Sequence, residues 1–411
     1  VFLLFLQSLS GSARQGLRPS LPEQRAPVRN GSVFVANLNR ITMPAPISGF
    51  CSWLFPGPAA LSSTKQSADR LGWVDVAKGL CIVLVVMLHS AKNIWEPGGP
   101  QGYLQYFITF AKTFRMPDFF LISGLFLSRV IHKNWRSYLD RKVFHFAYFY
   151  FIWATINFLL KAPGILAAEG SKAAAGHYLL SFVQPVGTLW FIYLLPVFFV
   201  LTKLLRRVHP VLVFAVAAVL QAATIETGWI VIDQTAERFV FFYAGYLFAP
   251  KVFALAAAVQ AHTRVAALAL IGWALVNGLM VFNGYADNGL WGLLLGFAGA
   301  AAVVSFCALI VNTRAAQPLR YCGQQSIVIY LAFFVGMHAS RIFLMKTGII
   351  QQVDLVILLV TTAGVLAPLL IWRVIRGTVF RFLFVRPERY RVERATPSVE
   401  GAGPAVTPAS A

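Results

Sequence analysis

The stretch Arg70-Leu-Gly-Trp-Val-Asp75-Val-Ala-Lys78-Gly-Leu-Cys81-Ile-Val-Leu-Val-Val-Met-Leu-His89-Ser90 decides the fold. It reads as the first membrane-spanning helix of a polytopic protein. About 20 apolar residues match the roughly 30 Å of a hydrocarbon core. A plain anchor has no use for its three ionisable groups. At about 100° and about 1.5 Å per residue, the eleven steps from Lys78 return His89 to within roughly 20° of the same face, about 16 Å further along. With Lys78 at one surface, His89 is expected near the midplane. An imidazole at that depth is costly unless it faces a protein interior or a wet cavity, which marks it as a candidate functional group.

Working outward, the chain of 411 residues is 58% hydrophobic and only 12% charged, about half the charge of a soluble chain. Apolar runs of spanning length recur from Val74 to Trp372. They are continuous rather than alternating, which excludes a transmembrane β-barrel and gives an all-α, polytopic helical membrane protein. The net charge of +20 is not a nucleic-acid signature, because the cations cluster between spans instead of on one soluble face. Orientation by the positive-inside rule explains it, with some attraction to the anionic headgroups of the bilayer. The four cysteines, Cys51, Cys81, Cys307 and Cys322, show neither metal-ligand spacing nor a disulfide framework.

Ten spans are expected, over about 73–92, 104–131, 141–161, 186–203, 210–230, 236–256, 264–283, 288–312, 320–344 and 352–375. The fifth and sixth are the weakest, separated by a break at Glu226, Asp233, Glu237 and Arg238. Residues 1–68 lack periodicity and read as a disordered leader. Val1, with Met43 nearer the first span, raises an over-extended start, which an intact mass including residues 1–42 would sink. The transmembrane domain is expected over 69–378, followed by a tail over 379–411, basic and then disordered. Cations alternate between loops so as to put both termini in the cytoplasm, which requires an even number of spans.

Five stretches could carry chemistry. In Asp75-x-x-Lys78-x10-His89, His89 reads as a general base or proton carrier and Lys78 as an anion binder, against a helix cap, snorkelling and a structural imidazole. In Lys112-Thr-Phe-Arg115-Met-Pro117-Asp118-Phe-Phe-Leu-Ile-Ser123-Gly124, Pro117 interrupts the helix, so the true span is expected to start near Met116. Arg115 and Asp118 read either as site residues or as a mutual ion pair. Ser123-Gly124 reads as a helix-packing contact rather than a nucleophile. Arg136-Ser-Tyr-Leu-Asp140-Arg141-Lys142 reads as a topogenic basic loop or as a phosphate seat. Gly187-Thr-Leu-Trp190-Phe-Ile-Tyr193 reads as interfacial anchoring, and Gly323-Gln-Gln-Ser326-Ile-Val-Ile-Tyr330-Leu331 as a packed helix start.

In order and spacing these stretches resemble the membrane-bound acyltransferase family 3. Asp75, Lys78 and His89 match its Asp-x-x-Arg-x10-His, with Lys in place of Arg. Phe119, Phe120, Ser123 and Gly124 match Phe-Phe-x-x-Ser-Gly, and Leu189, Trp190 and Phe191 match Leu-Trp-Phe. Phe241, Phe242 and Gly245 match Phe-Phe-x-x-Gly, and Gly323, Ser326, Tyr330 and Leu331 match Gly-x-x-Ser-x-x-x-Tyr-Leu. The resemblance covers about residues 70–375. Departures are Lys78, which loses the bidentate fork, the approximate Arg141-Lys142, Ala332-Phe333 where relatives carry a His, and Arg115 where relatives carry His before Met-Pro.

The resemblance implies an O-acyltransferase of the bacterial inner membrane. It would move an acetyl- or succinyl-class group from cytosolic acyl-CoA, a donor substrate rather than a bound cofactor, to a hydroxyl of a glycan or glycolipid. His89 and Asp118 are then the catalytic candidates. Lys78, Asp75, Arg141 and Lys142 are candidates for binding acyl-CoA, and Arg115 and Trp190 for the acceptor side. No metal is called for. The competing class is a transporter or flippase of a lipid-linked or anionic solute, since intramembrane ionisable residues serve such proteins too.

Overall fold

The computed structural model describes residues 72–92, 94, 102–185 and 187–391, and these residues form helices and turns without a strand. The leader expected over 1–68 lies outside them. The first helix, α1, runs Gly72–Lys92. The segment expected as a single span over 104–131 is broken. It gives α2, Tyr103–Phe110, and α3, Arg115–Gly124, with 3-10 turns at Ala111–Thr113 and Leu127–Arg129. Pro117 is the third residue of α3, a position whose N–H has no helical acceptor to lose. The proline therefore fixes where the helix starts.

A short α4, Trp135–Leu139, leads through one π-type turn at Asp140–Phe144 into α5, His145–Leu180. Gly170, at φ 82° and ψ 177°, kinks α5. Then come α6, Trp190–Leu204, and α7, Pro210–Ala222. They are followed by α8, Ile230–Leu247, and α9, Ala249–Ala261. The last five are α10, Thr263–Phe282; α11, Gly289–Ile310; α12, Ala316–Gln324; α13, Ser326–Thr347; and α14, Val353–Ile375.

Among the described residues, seven helical segments are long and apolar enough to cross a membrane, or eight if α8 and α9, bent by 74°, count as one broken span. The expected ten spans are not confirmed. The expected spans without a long helix lie where apolar composition is not matched by continuous helix. The 13 residues of α7 rise only about 20 Å, short of a hydrocarbon core. The run over 104–131 passes composition but turns twice. The lipid-facing helix is α10, where Val265, Leu268, Ile271, Leu275 and Leu279 are exposed.

Close packing is set at two glycine pairs. A Cβ on Gly79 of α1 would lie 1.8 Å from the Leu319 carbonyl oxygen of α12, and one on Gly323 of α12 would lie 1.7 Å from the Asp75 carbonyl oxygen of α1. Similarly, a Cβ on Gly124 of α3 would meet the Phe242 carbonyl oxygen of α8 at 2.2 Å, and one on Gly245 would meet that of Leu121 at 2.0 Å. These glycines let backbones touch, the mode by which helices associate where lipid supplies no hydrophobic drive.

Residues 379–391, expected as the start of the tail, pack against α5 and α14. Trp153 Nε1 donates to the Leu383 carbonyl at 2.9 Å and Tyr148 to that of Phe382 at 3.0 Å. Phe384 is buried against Trp153 and Trp372. Arg386 donates to the Asp140 carbonyl at 2.8 Å and to its carboxylate at 2.5 Å. A buried arginine has to be paired, and Asp140 provides the partner. The rest of the tail, from 392, lies outside the described residues.

Gly323→Ala is expected to lower the thermal midpoint of the purified protein by an overpacking cost of about 1–3 kcal/mol or more. Gly272→Ala, whose Cβ would meet nothing within 4 Å, is expected to leave it unchanged. A scan of the two variants in one detergent checks the difference.

Candidate functional site

The ionisable groups of the first two helical stretches separate to opposite ends of the bundle. At one end α1 begins six residues before Lys78, and Trp73 to Ala77 are buried. Asp75 accepts a hydrogen bond from Gln324 Nε2 at 3.4 Å. Lys78 stands close enough to Lys142 for the two charges to repel. The ammonium of Lys142 lies 4.5 Å from the centre of the Phe199 ring. Arg141 is exposed beside them. The four residues expected to bind the donor thus share one end, with Lys78 and Lys142 as its paired centre.

Lys203 belongs to the same end but is committed to structure. Its ammonium donates to the carbonyls of Ile131 at 2.8 Å and Lys133 at 2.6 Å. It also lies 4.2 Å from the Tyr138 ring centre.

At the other end, His89 sits three residues from the last residue of α1. This differs from the midplane expectation. Counting from Lys78 assumed that Lys78 marks a surface, whereas α12 packs beside the first turns of α1 and carries the helix about 9 Å beyond it. His89 lines a cavity of about 220 Å³ with Leu88, Lys92, Arg115, Met116, Phe119, Trp190, Phe191, Arg238 and Tyr330 among its walls. The imidazole centre is 5.5 Å from that of Phe333, one of the two residues at the place where relatives were expected to carry a histidine.

A second cavity, of about 420 Å³, adjoins the first and shares Arg115, Met116 and Arg238 with it. Its lining mixes Lys112 with Glu226, Asp233, Glu237 and Asp287. Lys112 is paired with Asp287.

Arg115 and Asp118 do not form the mutual ion pair that was one of their two readings. Asp118 is fully buried, lies outside both cavities, and accepts a hydrogen bond from Cys81 Sγ at 2.7 Å. It is one turn further along α3 than Arg115, so it meets α1 while Arg115 reaches the cavity wall. The two residues named as catalytic candidates, His89 and Asp118, are therefore not brought together at the cavity. The two acceptor-side candidates, Arg115 and Trp190, are brought together there, beside His89. Ser123 donates to the Phe119 carbonyl of its own helix at 2.8 Å, and its neighbour Gly124 makes the packing contact described above.

Tyr330 and the turn before α6 hold the aromatic wall. The Tyr330 hydroxyl donates to the Thr188 carbonyl at 2.5 Å and accepts from the Ile192 amide at 3.4 Å. Two separate sequence stretches, Gly187 to Tyr193 and Gly323 to Leu331, thereby meet at a single hydroxyl and fix Trp190 at the cavity.

Sequence reasoning missed Arg238 and Lys92 as site residues. The signal for Arg238 was present. A Glu-Arg pair stands three residues before Phe241-Phe242 in the middle of α8. It read as part of a break because the fifth span was placed eight residues too long and the sixth to start six residues late.

The chain has relatives. A family model described as an acyltransferase domain, Acyl_transf_3, matches residues 71–373. The inner membrane protein YcfT of Escherichia coli (strain K12) is 26% identical over 203 residues, 44% of this chain and 57% of the relative. The nodulation protein NolL of Mesorhizobium japonicum (strain LMG 29417 / CECT 9101 / MAFF 303099) is 23% identical over 180 residues, 43% of this chain and 48% of the relative. The chain spans about half the length of these curated relatives. No solved structure matches.

Tyr330→Phe is expected to destabilise the protein by about 1–3 kcal/mol through the carbonyl and amide left without the hydroxyl, and to loosen Trp190. A thermal midpoint measured with tryptophan emission checks both.

Proposed function

The chain belongs to the acyltransferase 3 family, and on that premise we propose that it is a multi-pass O-acyltransferase of the bacterial inner membrane. It takes an acyl group of the acetyl or succinyl class from cytosolic acyl-CoA and passes it to a hydroxyl of a cell-envelope or exported glycan. The observation that carries this reading is the split of the site. A cation pair, Lys78 and Lys142, occupies one end of the bundle, and a cavity with His89 and an aromatic wall occupies the other. A polyanionic donor suits the first and a sugar suits the second.

The positive-inside rule assigns the Lys78 end and both termini to the cytoplasm, and eight spans, like ten, keep the termini on one side. In the reaction, His89 takes the proton of the acceptor hydroxyl. The hydroxyl oxygen forms the new bond to the acyl carbon, the thioester C–S bond breaks, and the CoA thiolate leaves to be protonated. Arg115 and Trp190 hold the acceptor in place. Lys78, Lys142 and the exposed Arg141 attract the donor, and Asp75, held by Gln324, orients the first turns of α1. Asp118 acts at a distance from the reacting atoms, through its contact with α1 at Cys81.

The test is CoA release from acetyl-CoA and succinyl-CoA in proteoliposomes, with an envelope glycan extract as acceptor. His89→Ala is expected to cut acceptor-dependent release by about 100-fold or more at normal membrane abundance. Lys78→Ala is expected to raise the KM for the donor several-fold, with Lys78→Arg near the starting value. Equal release by the His89 variant removes that residue from the mechanism. No release with either donor, from folded protein, moves the reading to a transporter of an anionic or lipid-linked solute.

A further inference from the structure

The charged lining of the His89 cavity has one sign. Lys92, Arg115 and Arg238 stand on its walls together with His89, and among the described residues no carboxylate lines it. The adjoining cavity, by contrast, carries four carboxylates. Arg115 is 7% exposed, and its Nε and Nη1 have no hydrogen-bond partner. Arg238 is near enough to repel it. Arg238 itself is held by the Glu237 carboxylate at 2.6 Å and by Gln234 Oε1 at 3.4 Å. Among the described residues, the carboxylate paired with either guanidinium is that of Glu237, and it sits on Arg238.

A buried guanidinium with idle donors is expensive. It cannot lose its proton to escape the cost, and its fork of N–H groups is matched to the two oxygens of a carboxylate or phosphate. The rest of the cavity has a different chemistry. Phe119, Trp190, Phe191 and Tyr330 supply flat apolar faces. A volume of about 220 Å³ far exceeds the roughly 10–15 Å³ that one water needs and leaves room for a ligand the size of a sugar ring.

We propose that this cavity seats an acidic sugar, with an oxyanion (a carboxylate or a phosphate ester) bound between Arg115 and Arg238 and the ring against Trp190. The word acceptor rests on the acyltransferase reading; the anionic seat does not. In that reading the acceptor residue of the glycan is negatively charged, and its charge places a neighbouring hydroxyl against His89. The two arginines then serve as specificity-determining groups.

The experiment is equilibrium binding to the full-length protein in nanodiscs of neutral lipid. The probes are methyl glucuronide, glucose 6-phosphate, methyl glucoside, acetate and inorganic phosphate. The acidic sugars are expected to bind at least tenfold tighter than methyl glucoside, with the preference weakening as salt rises. Arg115→Gln and Arg238→Gln are each expected to remove most of that preference, and Arg115→Lys to keep part of it. A thermal midpoint identifies any variant that fails to fold, and Arg238, whose side chain is 18% exposed, is the more tolerant position. The tighter of the two acidic sugars assigns the oxyanion.

Equal binding of neutral and acidic sugars, or an unchanged preference in both folded Gln variants, overturns the proposal. Acetate or phosphate binding as tightly as the sugars overturns its sugar half. Variants that change the choice between acetyl-CoA and succinyl-CoA, with acceptor binding intact, assign the seat to the acyl group and also overturn it. Acidic sugars that bind as expected without ever releasing CoA leave the seat standing and refute the acyltransferase reading.

Discussion

The structure depends on helix backbones that touch. Gly79 and Gly323 let α1 lie on α12, and Gly124 and Gly245 let α3 lie on α8, at separations that any Cβ would forbid. In a bilayer such contacts gain dispersion and replace lipid, with no hydrophobic term to help. They also set the site. The first pair fixes the Lys78 end of α1 beside Gln324 of α12. The second joins α3 to α8 and so brings Arg115 and Arg238 to one wall.

The two ends of the bundle then divide the chemistry. Lys78 and His89 share a face of α1, about 16 Å apart along its axis. Between them the helix buries Ile82, Val86 and their neighbours in the core. In the proposed reaction, a donor anchored by the cations at one end has to present its thioester to the imidazole at the other. This separation keeps the permanent charges of the Lys78–Lys142 pair away from His89. It leaves Lys92 and Arg115 as the cations whose charges act on it.

Much of the architecture follows from composition and periodicity: the membrane class, the helical content, and five of the seven long spans within a few residues. The expected spans without a long helix came from treating apolar length as helix: α7 is too short, and the run over 104–131 is broken. Within the site, His89 and Arg115 stood out as ionisable groups in an apolar setting, whereas Trp190 read as an interfacial anchor and Tyr330 as part of a packed helix start, both matching motifs of the resembled family. Arg238 did not stand out, because its neighbours Glu226, Asp233 and Glu237 made the region read as a loop.

The sequence by itself determined that this chain lives in a membrane, which family it resembles, and which residue types are candidates for the chemistry. Those properties reside in local runs and spacings, which survive without knowledge of neighbours. Only the tertiary structure decided which charges face one another. Arg115 and Asp118, three residues apart, turn to different partners, whereas Arg115 and Arg238, far apart in the chain, share a wall. Pairing is a property of helix–helix contact, and contact is set by packing at a few glycines rather than by distance along the chain.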